Sequence, residues 1–195
     1  MQAPLYARHF LSAVVLGLMA SSAMALTTAE HSAAKKQIET EYKAAKAQCK
    51  SLTGNAKDVC DKEASGHEKV AKADLEARHK PSAKNSEKAA VAKADADYGV
   101  AKEKCDDQTG NAKDVCVKDA KAAHTHAVEA AKVAKVKAEP AKDANTKAAD
   151  VAEARKDAAS ENREADYKAA KERCDALAGA AKDTCVADAK RKFAQ

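Results

Sequence analysis

The chain has 195 residues, a formal net charge of +5 at pH 7, and 33% charged but only 3% aromatic residues. Lysine balanced this closely by acid argues against a nucleic-acid partner, which would need a basic face with interleaved aromatics. Large apolar side chains are too scarce for a conventional globular core, so the composition borders on the disordered class. What favours order is the dominance of alanine, lysine and glutamate, all strong helix formers, in a chain without β-branched runs.

At the N-terminus, Arg8 and His9 precede the apolar run Phe10 to Ala20, and Ala23-Met24-Ala25 offers small residues at the two positions a signal peptidase reads. The spacing predicts an export signal over 1–25, cleaved after Ala25, and hence a periplasmic protein. The run is far short of the ~20 apolar residues needed to cross a bilayer, and no later stretch approaches that length, so no stable membrane insertion is expected. Residues 26–195 then hold 45 alanines against eleven valines, four leucines and one isoleucine.

The rest of the chain repeats itself. One phrase runs from Tyr42 to Cys60, again from Tyr98 to Cys116 and again from Tyr167 to Cys185, each time with the spacing C-x4-G-x5-C. Helices are predicted over 30–52, 55–79, 83–108, 111–138, 141–177 and 180–193, broken at Gly54, Gly110 and Gly179 within the repeats and at Pro81 and Pro140 between them. In the first turn, Gly54 suits the left-handed position after a helix and Asn55 the N-cap of the next. Asn111 repeats that cap, but Ala180 replaces it in the third copy, whose turn should therefore be the weakest.

Along the first helix, Ile38, Tyr42, Ala45, Cys49 and Leu52 form one stripe, repeated by Tyr98, Ala101 and Cys105 and by Tyr167, Ala170, Cys174 and Leu177. The tyrosines on it are packing anchors. Opposite charges four residues apart are expected to pair along the helices: Glu39 with Lys43, Asp58 with Lys62, Glu68 with Lys72, Asp114 with Lys118, and Glu164 with Lys168. Segment 127–160 is polar nearly all round and reads as a protruding or frayed helix.

The cysteines settle the architecture. On one unbroken helix Cys49 and Cys60 would stand roughly 16 Å apart, beyond the ~4.4 to 6.8 Å between α-carbons that a disulfide tolerates. Folding the chain back at Gly54 brings them to matching depth on facing helices. The expected bonds are Cys49–Cys60, Cys105–Cys116 and Cys174–Cys185, which uses all the cysteines, as an exported chain would. The predicted fold is all-α: three disulfide-stapled helical hairpins, over 26–80, 81–139 and 140–195, arranged as a bundle or strung out.

No catalytic, cofactor or metal residues emerge. With every cysteine paired, none is left as thiolate ligand or nucleophile, and there is no Gly-rich phosphate loop. His124 and His126 lie two residues apart, on opposite sides of a helix, so they cannot share a metal there. They read, with His31, His67 and His79, as solvated surface residues.

The phrase Y-x-x-A-K-x-x-C-x-x-x-x-G-x-A-K-D-x-C, with an export signal before it and a basic tail such as Lys190-Arg191-Lys192-Phe193 after it, resembles a group of uncharacterised exported helical proteins of Gram-negative bacteria. Some of these are labelled cell-envelope biogenesis proteins, similar to the long periplasmic helix of the Tol system. The resemblance implies a periplasmic address and supplies no catalytic residue. It does not extend to a membrane-anchoring segment or a folded Tol interaction domain. The expected function is non-enzymatic, a structural or protein-interaction role in the envelope with an envelope protein as partner. The alternative is a hydrophilic stress protectant or holdase.

Overall fold

A computed structural model describes residues 26–195, and the predicted signal over 1–25 lies outside the described residues. The described chain forms six helices: α1 Thr28–Cys49, α2 Gly54–His79, α3 Ala83–Cys105, α4 Gly110–Ala138, α5 Ala144–Cys174 and α6 Gly179–Phe193. Among the described residues there is no strand. The all-α prediction with three hairpins holds.

Three of the helix starts are closed by side chains. Thr27 and Glu30 form a capping box in which the Thr27 hydroxyl accepts from the Glu30 N–H at 3.2 Å and the Glu30 carboxylate accepts from the Thr27 N–H at 2.8 Å. Ser82 accepts from Asn85 N–H at 3.1 Å to start α3, and Asp143 accepts from Thr146 N–H at 2.8 Å to start α5. Each satisfies a backbone donor that a helix start leaves without a partner. Pro81 and Pro140 fall in the two connections, where no helical N–H is needed.

The hairpin turns depart from expectation. α1, α3 and α5 end at Cys49, Cys105 and Cys174, three residues short of the predicted ends. Leu52 and Leu177 are therefore off the stripe and lie exposed at the tips. The glycines do adopt positive φ, at 57°, 57° and 55° for Gly54, Gly110 and Gly179. They do so at the entry to the second helix rather than behind the first, a backbone position other residues adopt only with strain. No side chain caps α2, α4 or α6, so Asn55 and Asn111 are not the caps the sequence suggested.

Helices touch only their neighbours in the chain: α1 with α2, α2 with α3, and so on to α6. The result is a row of antiparallel helices one helix thick, with the three turns along one edge. At ~8 to 10 Å between axes, six helices span roughly 40 to 50 Å. The packing on each inner helix is accordingly two-sided. Ala122 and Ala131 of α4 are both buried, and nine residues, or two and a half helical turns, put them on opposite sides.

This layout explains the composition, because a row of helices has narrow contacts and no central core. The buried apolar side chains are eight alanines, three cysteines and Leu75. Small side chains let the axes come close, as between α2 and α3. Gly66 is buried there, and a β-carbon added to it would stand 2.9 Å from the Ala96 β-carbon.

Segment 127–160 is ordered. α4 and α5 pack along it, and Ala131 and Ala158 within it are buried. Glu129 is buried too, its carboxylate 2.6 Å from the Lys132 ammonium. From the first turns of α5, the Lys147 ammonium donates to the Val136 and Glu139 carbonyls at the end of α4. A cation there complements the negative end of the helix dipole.

Replacing Gly66 by leucine should force α2 and α3 apart and cost about 1 to 3 kcal/mol, lowering the melting temperature by about 2 to 4 °C per kcal/mol. Gly99 sits inside α3, and nothing lies within 4 Å of where its β-carbon would be. Gly99→Ala should raise stability by about 0.5 to 1 kcal/mol. Thermal unfolding followed by circular dichroism reads both.

Candidate functional site

The cysteines pair as the spacing predicts. Cys49–Cys60, Cys105–Cys116 and Cys174–Cys185 are disulfide-bonded, with α-carbons 5.6, 5.6 and 5.7 Å apart. The first member of each pair is fully buried and the second half-exposed. Among the described residues no cysteine is free. Beside two of the bonds a lysine crosses the turn to an aspartate: Lys113 to Asp106 at 3.0 Å and Lys182 to Asp175 at 2.8 Å. In the first copy the aspartate's place is taken by Lys50, and Lys57 bonds instead to Asp61 at 2.6 Å, which Lys46 also reaches at 2.6 Å.

The richest constellation is one that the sequence reading missed. Where α2 meets α3, the Asn55 amide donates to the Glu103 carbonyl at 2.9 Å, Lys62 pairs with the Glu103 carboxylate at 3.2 Å, and Lys104 pairs with Glu63 at 3.4 Å. Where α4 meets α5 the set recurs. Asn111 donates to the Glu172 carbonyl at 3.0 Å, Lys118 pairs with the Glu172 carboxylate at 3.7 Å, and Arg173 binds Asp119. These are equivalent positions in the register of the repeat, continued past its second cysteine, so the repeat encodes a lock between one hairpin and the next as well as the disulfide within each.

The accepting carbonyls lie in the last turns of α3 and α5. Each already accepts one N–H, from Asp106 at 3.0 Å and Asp175 at 3.1 Å, so the asparagine supplies a second donor to a helix end. The lock also displaces two predicted pairs. Lys62 and Lys118 reach across to glutamates on the next hairpin and leave Asp58 and Asp114, whereas Lys72–Glu68 at 2.6 Å and Lys168–Glu164 at 3.1 Å form within their helices as expected. Among the described residues Glu39 and Lys43 make no ion pair.

Two of the histidines are less solvated than predicted. The side chains of His31 and His124 are 20% and 14% exposed, and each reaches a carboxylate on a neighbouring helix: His31 to Glu76 at 2.7 Å and His124 to Asp95 at 2.6 Å. His126 bonds to Asp166 at 2.9 Å. His124 thus binds α3 while His126 binds α5, the opposite-side geometry their spacing dictates. His79 bonds through Nδ1 to the Leu26 carbonyl at 2.8 Å and stacks on His31, ring centroids 4.3 Å apart. Tyr98 packs against the His124 ring at 5.1 Å between centroids and under the Lys121 ammonium, in keeping with an anchoring role.

Depressions are shallow grooves between helices; the one between α4 and α5 on the Lys121 side holds about 390 Å³ and is rimmed by Lys118, Lys168, Glu161 and Glu164. Among the described residues no group of three or more His, Cys, Asp or Glu side chains could hold a metal ion. What the arrangement does chemically is bind one helix to the next. No family model matches the chain, and comparison with curated proteins and with solved structures found no match.

Asn55→Ala and Asn111→Ala should each cost about 1 kcal/mol, the net worth of one hydrogen bond, and speed amide exchange in the flanking helices while leaving the disulfides intact; exchange mass spectrometry is the measurement. Acid should weaken the fold as well. The His31 hydrogen bond holds the Glu76 carboxyl below its ordinary 4.5, and the Lys182 ammonium holds Asp175 below its ordinary 3.8. A depressed carboxylate adds stability above its ordinary value and loses it as pH falls through the folded one. Melting temperature should therefore stay level down to the ordinary carboxylate range and drop below it. Glu76→Gln and Asp175→Asn should each flatten that drop.

Proposed function

We propose that this chain is an exported, non-enzymatic helical scaffold or spacer of the periplasm, holding a fixed shape for an envelope protein partner. The observation that carries this reading is the way shape is maintained. Each hairpin is closed covalently near its tip and locked to its neighbour by the same polar set, so the form depends on cross-links where a core is lacking. Disulfides persist in oxidising compartments, which agrees with an export signal over 1–25 cleaved after Ala25. No described helix is long and apolar enough to cross a membrane, which fits a protein that is not helix-anchored after cleavage. The likeness to exported Ala/Lys-rich proteins of Gram-negative bacteria points to the same compartment.

The protectant alternative rests on composition. A chain that works while disordered has no use for cystines at matched depth or for asparagines aimed at helix ends, and these favour the scaffold. Each disulfide closes a short loop worth about 3 kcal/mol. Reduction should consequently lower the melting temperature sharply, and the oxidised form should keep its helicity in dilute buffer.

The deciding experiment uses oxidised residues 26–195 as bait in an envelope fraction, with a reduced sample beside it. Recovery of the same partner by the oxidised bait alone is the expected result. Equal recovery by both forms, or by neither, would reject the scaffold reading. N-terminal sequencing of the periplasmic protein should begin at Leu26.

A further inference from the structure

The lock joining α2 to α3 and α4 to α5 has two unlike halves. The leading half, on α2 and α4, consists of the amide Asn55 or Asn111, the cation Lys62 or Lys118, and a small residue, Gly66 at its close approach to α3 or Ala122 at the equivalent position. The receiving half, on α3 and α5, consists of Glu103 or Glu172, the cation Lys104 or Arg173, and an alanine, Ala96 against Gly66 or Ala165 at the equivalent position. Docking is therefore directional: the second helix of one repeat accepts the first helix of the next.

At the two outer helices the unused half is missing. α6 needs no leading half for any described neighbour, and the corresponding residues are Ala180 for the asparagine, Ala187 for the lysine and Arg191 for the small residue. The acid that pairs across the lock, Glu63 on α2 and Asp119 on α4, is kept as Asp188, but it is bound to Arg191 of its own helix. On α1 the receiving positions hold Ala47 for the glutamate, Gln48 for the cation and Thr40 for the alanine. All of these residues are exposed.

The change at Arg191 goes beyond a lost contact. At the equivalent Gly66 even a methyl group would come within 2.9 Å of Ala96. A guanidinium on a long, flexible stem prevents a following helix from approaching that closely, and docking there would strip water from the Arg191–Asp188 pair with no group on the incoming receiving positions placed to replace it.

We propose that the outer flanks of α1 and α6 are terminating surfaces, which keep a further repeat, including one from a second copy of this chain, from docking end to end. The same six positions then determine which helix pairs dock. Inside the row they match, and at its flanks they refuse. This also gives Ala180 a role in docking, separate from any effect on its own turn.

The test compares two tandem fusions of oxidised residues 26–195, joined by a flexible Gly/Ser linker that holds the copies at high effective concentration. One keeps the native flanks. The other carries Ala180→Asn, Ala187→Lys and Arg191→Gly in the first copy, with Thr40→Ala, Ala47→Glu and Gln48→Lys in the second. Single chains with each triple change are checked first for native helicity and intact disulfides, since all six sites are exposed. In the native tandem the first copy's α6 should exchange its amides as fast as in the free chain. In the restored tandem it should exchange about tenfold more slowly, the effect of about 1.4 kcal/mol of docking, and scattering should show a smaller radius of gyration. Equal protection in the two tandems would overturn the proposal. So would concentration-dependent sedimentation of the native chain that Arg191→Glu abolishes.

Discussion

Everything in this fold depends on three sulfur–sulfur bonds that hold two antiparallel helices together where the chain turns. A row of helices one layer thick has contacts only between neighbours, and alanine-lined contacts remove little area from water. Ordering each residue still costs about 1 to 2 kcal/mol. A bond that closes a short loop acts on the unfolded chain, by limiting the conformations it can explore. It thereby supplies what a core would otherwise provide, and it does so next to the turn, where fraying of the hairpin would begin.

The polar lock between hairpins follows from the same scarcity. Surface ion pairs contribute little singly, yet Glu103 and Glu172 each combine a carboxylate paired to lysine with a carbonyl bound by asparagine. Such contacts have geometric requirements that alanine stripes lack. Apolar stripes of small residues can slide by a turn at modest cost, whereas an amide aimed at one carbonyl fixes the register. Specificity and attraction are in this way assigned to different residues: alanine brings the helices close, and asparagine, lysine and glutamate decide where they stop.

Much of this was legible in the residues. The disulfide pattern follows from the reach of the bond and the position of Gly54, and the helix content follows from alanine and lysine. The asparagines were misread because Asn at the start of a helix is such a common cap. The sign that Asn55 served another end was in the repeat itself, since its counterpart is lost only in the last copy. The lysines after the second cysteine were misread because an acid four residues earlier is a sufficient local partner. The better-sheltered Glu103 and Glu172 could be seen only once the hairpins were set side by side. The predicted helix ends overshot because Leu52 and Leu177 continue an apolar period that the backbone has already abandoned.

The two-sided character of α4 has a consequence for how the whole chain melts. Because each helix is held only by those before and after it, energy is coupled between nearest neighbours and no single nucleus unites the molecule. Damage at one hairpin, such as a reduced bond or a crowded glycine, is felt by the adjoining helices and fades beyond them. Such a chain behaves as a short one-dimensional series of cooperative units, coming apart from its weaker segments inward. Under stress it can lose part of its length while the remainder keeps its form.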